Sequence, residues 1–104
     1  MLYVRIDIAK HEHQVAIIDD EGEIHEDVLV INNTRSGFQK LDEIVHRIQV
    51  KPSQECMWAM EDTGNYHAAI LKFLEDKQYK VYCYNPILVK KLFKSRDIEK
   101  NKNR

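Results

Sequence analysis

Leu2, Val4, Ile6 and Ile8 alternate with Tyr3, Arg5, Asp7 and Ala9. A period of two with distinct faces predicts a strand over 2–9. His13 to Asp19 and Glu23 to Ile31 are rich in β-branched residues and flank Asp20-Glu21-Gly22, which predicts a hairpin. The first three strands thus read as an antiparallel meander. After Asn32-Asn33-Thr34 the period changes: Phe38, Leu41, Ile44, Val45 and Ile48 recur on one helical face, giving a first helix at about 37–49 with Ser36 as N-cap.

Lys51-Pro52-Ser53 reads as a connector, and Cys56-Met57-Trp58-Ala59-Met60 is an unbroken apolar run ending at Glu61, the pattern of a strand buried on both faces. Asp62-Thr63-Gly64 offers cap oxygens to a second helix over 65–76, with Tyr66, Ile70, Phe73 and Leu74 along one face. Tyr79 to Tyr84 forms a fifth strand, and Asn85-Pro86 starts a third helix carrying Leu88, Val89, Leu92 and Phe93. The order β-β-β-α-β-α-β-α predicts an α/β fold with a mixed five-stranded sheet and helices packed on it. That is a ribonuclease H-like arrangement.

At 104 residues with 43% hydrophobic side chains, the chain suits one domain able to build a core without disulfides. Only Cys56 and Cys83 are present, no apolar run nears a membrane span, and the start lacks a signal-peptide pattern; a reducing cytoplasm and no membrane partner are expected. Three glycines exclude a glycine-rich phosphate loop. The net charge of -1 conceals an asymmetry: residues 1–89 hold nine basic and fifteen acidic side chains, residues 90–104 seven and two. The expected division is a domain over 1–94 and a basic, disorder-prone tail over 95–104. Lys90, Lys91, Lys94, Arg96, Lys100 and Lys102 are candidates for phosphate contacts, although solvated termini have the same composition.

Asp7 lies within the first strand, where a carboxylate is disfavoured and needs compensation. Arg5 or Lys10 supplies that in a structural ion pair, or a divalent metal does. Glu61 ends the fourth strand. If that strand is a parallel neighbour of the first, both carboxylates face one ion, half of a two-metal site; Asp19, Asp20, Asp62, Asp97 and Glu99 provide no clear third ligand. Asn65 and Tyr66, beginning a helix beside these carboxylates, are placed for ligand contact, with capping and packing as their ordinary roles. His11, His13, His25, His46 and His67 read as solvated, Cys56 and Cys83 as small core residues, and Trp58, Tyr79, Tyr82 and Tyr84 as packing aromatics.

The ordered set Asp7-Ile8-Ala9-Lys10, Asn33-Thr34, Glu61-Asp62-Thr63-Gly64-Asn65-Tyr66 and Asn85-Pro86 resembles the N-terminal domain of DEDD-type bacterial insertion-sequence transposases and the related Piv/MooV site-specific invertases. The resemblance spans nearly the whole chain. It implies a RuvC-like fold and four acids that bind Mg²⁺, with Mn²⁺ as substitute, and act on DNA. Asp7 and Glu61 match the first two acids. The last two form an Asp-x-x-Asp pair in the family; Arg104 stands at the third position and the fourth lies past the chain end. Arg5 replaces the glycine usual before Ile-Asp. Relatives carry a C-terminal domain with a strand-exchange serine, and some use a guide RNA.

The resulting expectation is the metal-binding N-terminal part of a bacterial, cytoplasmic DNA transposase or recombinase. It is truncated or degenerate and inactive alone, with catalytic and metal residues Asp7 and Glu61. Lys10, Asn65, Tyr66 and the tail lysines and arginine would contact nucleic acid. The alternative is a non-catalytic module of the same fold that binds nucleic acid or associates as a homo-oligomer. An actin-like ATPase lobe is disfavoured by the scarcity of glycine.

Overall fold

The computed structural model describes residues 1–49, 54–62 and 64–85. The expected third helix, the boundary at 94 and the basic tail lie outside the described residues. Five strands, β1 (Leu2–Asp7), β2 (Glu12–Asp19), β3 (Ile24–Asn32), β4 (Cys56–Glu61) and β5 (Val81–Tyr84), form one sheet in the order β3-β2-β1-β4-β5. β1 pairs antiparallel with β2 and parallel with β4, and β4 is parallel to β5. The mixed sheet expected from the alternation is therefore present. Helices α1 (Arg35–Ile48) and α2 (Ala68–Asp76) supply the parallel crossovers.

One face of the sheet holds the core. Leu2, Val4 and Ile6 of β1, Val15 and Ile17 of β2, and Trp58 and Met60 of β4 are buried together with Phe38, Leu41, Ile44 and Val45 of α1 and Ile70, Phe73 and Leu74 of α2. The residues between them turn to the other face, where Tyr3, Arg5, Asp7, Met57 and Tyr82 are exposed. On the buried face the Tyr79 ring stacks on Trp58 at 5.0 Å between centroids, and its hydroxyl donates to Asp42 Oδ1 at 2.5 Å. That hydroxyl's buried setting, then the Asp42 carboxylate beside it, raises its pKa.

Element ends differ from the sequence pattern for local reasons. β1 stops at Asp7 because the Ala9 N–H donates to the His13 ring, at 3.1 Å, instead of to a strand. Thr34, not Ser36, caps α1: its hydroxyl accepts from Gly37 N–H at 3.2 Å. α2 begins at Ala68 rather than 65 because Asn65 has a φ of 64°, incompatible with a right-handed helix. β5 starts at Val81 because Gln78, at a φ of 65°, and Tyr79 donate back to Glu75 and Leu74 and close the end of α2.

Gly37 sits hard against the end of β3. A Cβ there would lie 2.1 Å from the Asn32 carbonyl oxygen, so only glycine lets α1 start so close to the end of β3. Gly37→Ala is expected to cost about 2 kcal/mol through the backbone shift it forces, read as a lower midpoint in urea unfolding at unchanged slope.

Candidate metal centre at the strand ends

β1 and β4 run parallel and end together, so Asp7 and Glu61 are direct partners in register, on strands about 4.8 Å apart. Ile6 and Met60 point into the core, which sends both carboxylates to the open face. The Ile8 N–H donates to the Glu61 carbonyl at 2.8 Å and holds that register past the last strand residue. Gln14 of β2 stands opposite Asp7, and Tyr84 of β5 opposite Glu61. The strand ends thus gather two acids, an amide and a phenol.

Arg5 shares this face. Its Nη2 donates to Glu61 Oε2 at 3.1 Å. That hydrogen bond moves the Arg5 pKa up, keeping the guanidinium charged. Compensation falls differently from the expectation: Arg5 pairs with Glu61, while Asp7 is exposed and makes no ion pair among the described residues. Both carboxylates offer the oxygen donors that Mg²⁺-like cations take. The pair fits such an ion in the chemistry of its donors, with two ligands in register and a cation already on one of them.

The turn after Glu61 is built on Asp62. Its side chain is buried, accepts from Gly64 N–H at 3.0 Å through Oδ1, and meets the His67 ring through Oδ2. Burial pushes its carboxyl up, but the His67 bond and the Gly64 and Tyr66 N–H groups outweigh that, leaving it below the ordinary carboxylate value. The Asp62 N–H donates to the Tyr84 carbonyl at 3.1 Å, tying the turn to β5. A Cβ on Gly64 would lie 2.6 Å from the Tyr66 ring, so glycine lets that ring fold back over the turn. Asp62 and His67, read as solvated or as simple cap groups, are the braces of this loop.

On the β1 side, His13 departs most from its expected solvated role. It is fully buried beside Phe38, with ring centroids 6.2 Å apart. Its Nδ1 accepts from Ala9 N–H, so its proton sits on Nε2 and donates to Asn33 Oδ1 at 3.0 Å. Asn33 Nδ2 donates in turn to the Lys10 carbonyl, and the Asn33 N–H to the His11 carbonyl. His13 and Asn33 thereby lock the turn that follows Asp7. Parity carried the signal, since His13, Val15 and Ile17 fall on one strand face.

Lys10, Asn65 and Tyr66 are exposed; the candidates Lys90, Lys91, Lys94, Arg96, Lys100 and Lys102 lie outside the described residues. Cys83, expected in the core, is exposed on the edge strand β5, while Cys56 is half-buried. Among the described residues, three groups able to share an ion meet only at Asp19, Glu23 and His25. There Asp19 is already engaged by Glu21 and Glu23 N–H groups and the His25 ring, the bonding of an ordinary Asx turn. A cavity of about 660 Å³ opens at the opposite ends of β1 and β4, beside Met1 and Cys56, and includes neither Asp7 nor Glu61.

Comparison with known proteins bears on the family and the fold. A family model described as DEDD_Tnp_IS110 transposase matches residues 4–103. The chain belongs to this transposase family. Among solved structures it is similar to Thermus thermophilus RuvC, with a TM-score of 0.55 and 18% identity, covering 86% of this chain and 65% of that one. The chain thus spans just under two thirds of that RuvC, and the likeness establishes a RuvC-like, ribonuclease H-type fold. A Ppx/GppA family protein from Aquifex aeolicus aligns at a TM-score of 0.43 and 10% identity, covering 83% of this chain and 35% of that one. A search of curated proteins found no match. The chain is thus a transposase-family domain with a RuvC-like fold. Among the described residues no helix is long and apolar enough to cross a membrane.

Proposed function

We propose that this domain is the metal-binding N-terminal part of a DNA recombinase, with Asp7 and Glu61 holding a divalent cation, Mg²⁺ or Mn²⁺ in its place. The observation that carries this reading is the direct register of the two carboxylates at the shared end of β1 and β4, in a chain of the transposase family. Asp7 and Glu61 would hold the ion, which would supply Lewis-acid charge stabilisation for phosphoryl transfer. The chain's own contribution is position: the His13–Asn33 lock fixes the turn after Asp7, and Asp62 braces the turn after Glu61. Lys10, Asn65 and Tyr66, exposed on the turns that follow these two strands, contact the DNA backbone, joined by Lys90, Lys91, Lys94, Arg96, Lys100 and Lys102.

A two-metal centre takes more carboxylates than two, so the chain alone is expected to bind metal without cleaving DNA. The Arg5–Glu61 pair favours a second reading, in which the fold serves as a non-catalytic nucleic-acid-binding module with its charge already balanced.

A Mn²⁺ titration of isotopically labelled protein decides between them. Paramagnetic line broadening is expected first around Asp7 and Glu61, and Asp7→Asn and Glu61→Gln should each weaken binding at least about tenfold without unfolding the domain. Broadening confined to Asp19, Glu23 and His25, or unchanged affinity in both variants, would transfer the case to the non-catalytic module.

A further inference from the structure

We propose that Arg5 is a resident counter-cation of the carboxylate pair, which a divalent ion must displace from Glu61 before Glu61 can ligate it. This rests on the metal-binding reading above and adds what sets the affinity of that site.

The geometry is specific to Arg5. It precedes Asp7 by two residues on β1, so both project from the same face, and its partners across the ladder are Ala16 on β2 and Ala59 on β4. Two alanines leave that stretch of the face low, and the long Arg5 side chain reaches diagonally to Glu61, the next residue of β4 on the same face. An aliphatic or short side chain at position 5 would remove the one ion pair that Glu61 makes among the described residues. One guanidinium nitrogen engages one carboxylate oxygen at 3.1 Å, and the Arg5 side chain is 62% exposed against 23% for Glu61. Such a pair is a weak hold: it is strong enough to occupy Glu61 in the metal-free protein and loose enough to yield.

A divalent ion and a guanidinium cannot share Glu61 without repulsion between three positive charges a few ångströms apart. Metal entry therefore requires Arg5 to swing off the carboxylate, and its exposure gives it solvent to swing into. The apparent affinity of the site is the intrinsic affinity reduced by this competition. Removing Arg5 should raise it.

The test is Mn²⁺ binding by the full chain, measured as free-ion concentration by electron paramagnetic resonance at low ionic strength, for the native protein, Arg5→Ala, Asp7→Asn, Glu61→Gln and Arg5→Ala/Glu61→Gln. Arg5→Ala is expected to bind Mn²⁺ about tenfold more tightly than the native chain, with the gain shrinking in 0.5 M salt, roughly where the Debye length falls near 4 Å. In the Glu61→Gln background most of the gain should vanish, because the competition is for Glu61. A Mg²⁺ titration followed at the Arg5 guanidinium N–H resonance adds a direct reading: the signal should move in the native chain and stay still in Asp7→Asn.

Unchanged or weaker binding in Arg5→Ala, while Asp7→Asn still loses affinity, overturns the role given to Arg5 and leaves the metal centre standing. An equal gain with and without Glu61 also overturns it, since it reduces Arg5 to a distant charge. Native affinity retained in both Asp7→Asn and Glu61→Gln instead removes the metal centre itself.

Discussion

Replacing His13 by alanine is expected to cost the fold about 4 kcal/mol, the range for emptying a buried ring site and leaving hydrogen-bonding groups without partners. The ring is fully buried and both nitrogens are used, one accepting from Ala9 N–H and one donating to Asn33. Its removal leaves the Ala9 N–H and Asn33 Oδ1 without these partners and opens a void beside Phe38. The same geometry fixes the pH response. Burial lowers the His13 pKa below its ordinary 6.5, against smaller upward pulls from Asn33, Asp62 and Asp7. Between the folded value and 6.5 the unfolded chain binds a proton that the folded chain refuses, so the stability His13 provides is full above 6.5 and falls as the pH drops below it. Urea midpoints should therefore decline from pH 7 toward pH 5 in the native chain, and the gap between native and His13→Ala should narrow over that range. A gap that widens on acidification would show a charged His13 in the fold.

The alternation along β1 and the apolar run ending at Glu61 made those two strands legible and contained most of the candidate site, although β4, expected to be buried on both faces, buries only Trp58 and Met60 and exposes Met57. Ile6 and Met60 inward imply Asp7 and Glu61 outward on one face, and the parallel pairing of β1 with β4 follows from the crossover through α1. What the sequence could not decide was which of two equivalent local signals wins. Thr34 and Ser36 are both good caps, and the choice falls to Thr34 because Gly37 must seat against the Asn32 carbonyl, a contact between elements that no local pattern encodes. The helical period around Tyr66 suggested that α2 begins at 65. Asp62 overrides it by drawing the following N–H groups onto its own carboxylate and leaving Asn65 left-handed. His13 was misjudged for its neighbours: flanked by Glu12 and near a turn, it looks solvated, although its parity with Val15 and Ile17 places it inside. Arg5 stood in plain view beside Asp7, but its choice of Glu61 over Asp7 depends on the two alanines that flank it across the sheet.

Asp62→Ala should be the next most damaging change, at about 3 kcal/mol, because it removes a buried charged acceptor that serves three donors at once rather than merely deleting a contact. The Asp62 side chain is 2% exposed and serves the Gly64 and Tyr66 N–H groups and the His67 ring at once. Without it those donors have no substitute in the turn, and the backbone between Glu61 and α2 loses its reason to pass through a left-handed Asn65. Asp62→Asn is the informative companion. It keeps an oxygen for Gly64 but lacks the charge that engages His67, so about half the loss is expected. Since the Asp62 pKa lies below its ordinary value, the stability it contributes is present above the unfolded carboxylate pKa and disappears as the pH falls through the folded one. The native protein should thus lose stability in acid more steeply than Asp62→Ala. Amide exchange gives the local readout: protection at Gly64 and at the start of α2 should fall in the variant while β1 and β2 amides keep theirs. Uniform loss across the sheet would mean that Asp62 supports the whole fold and not the Glu61 turn. Unchanged protection at Gly64 would mean that the turn holds without it.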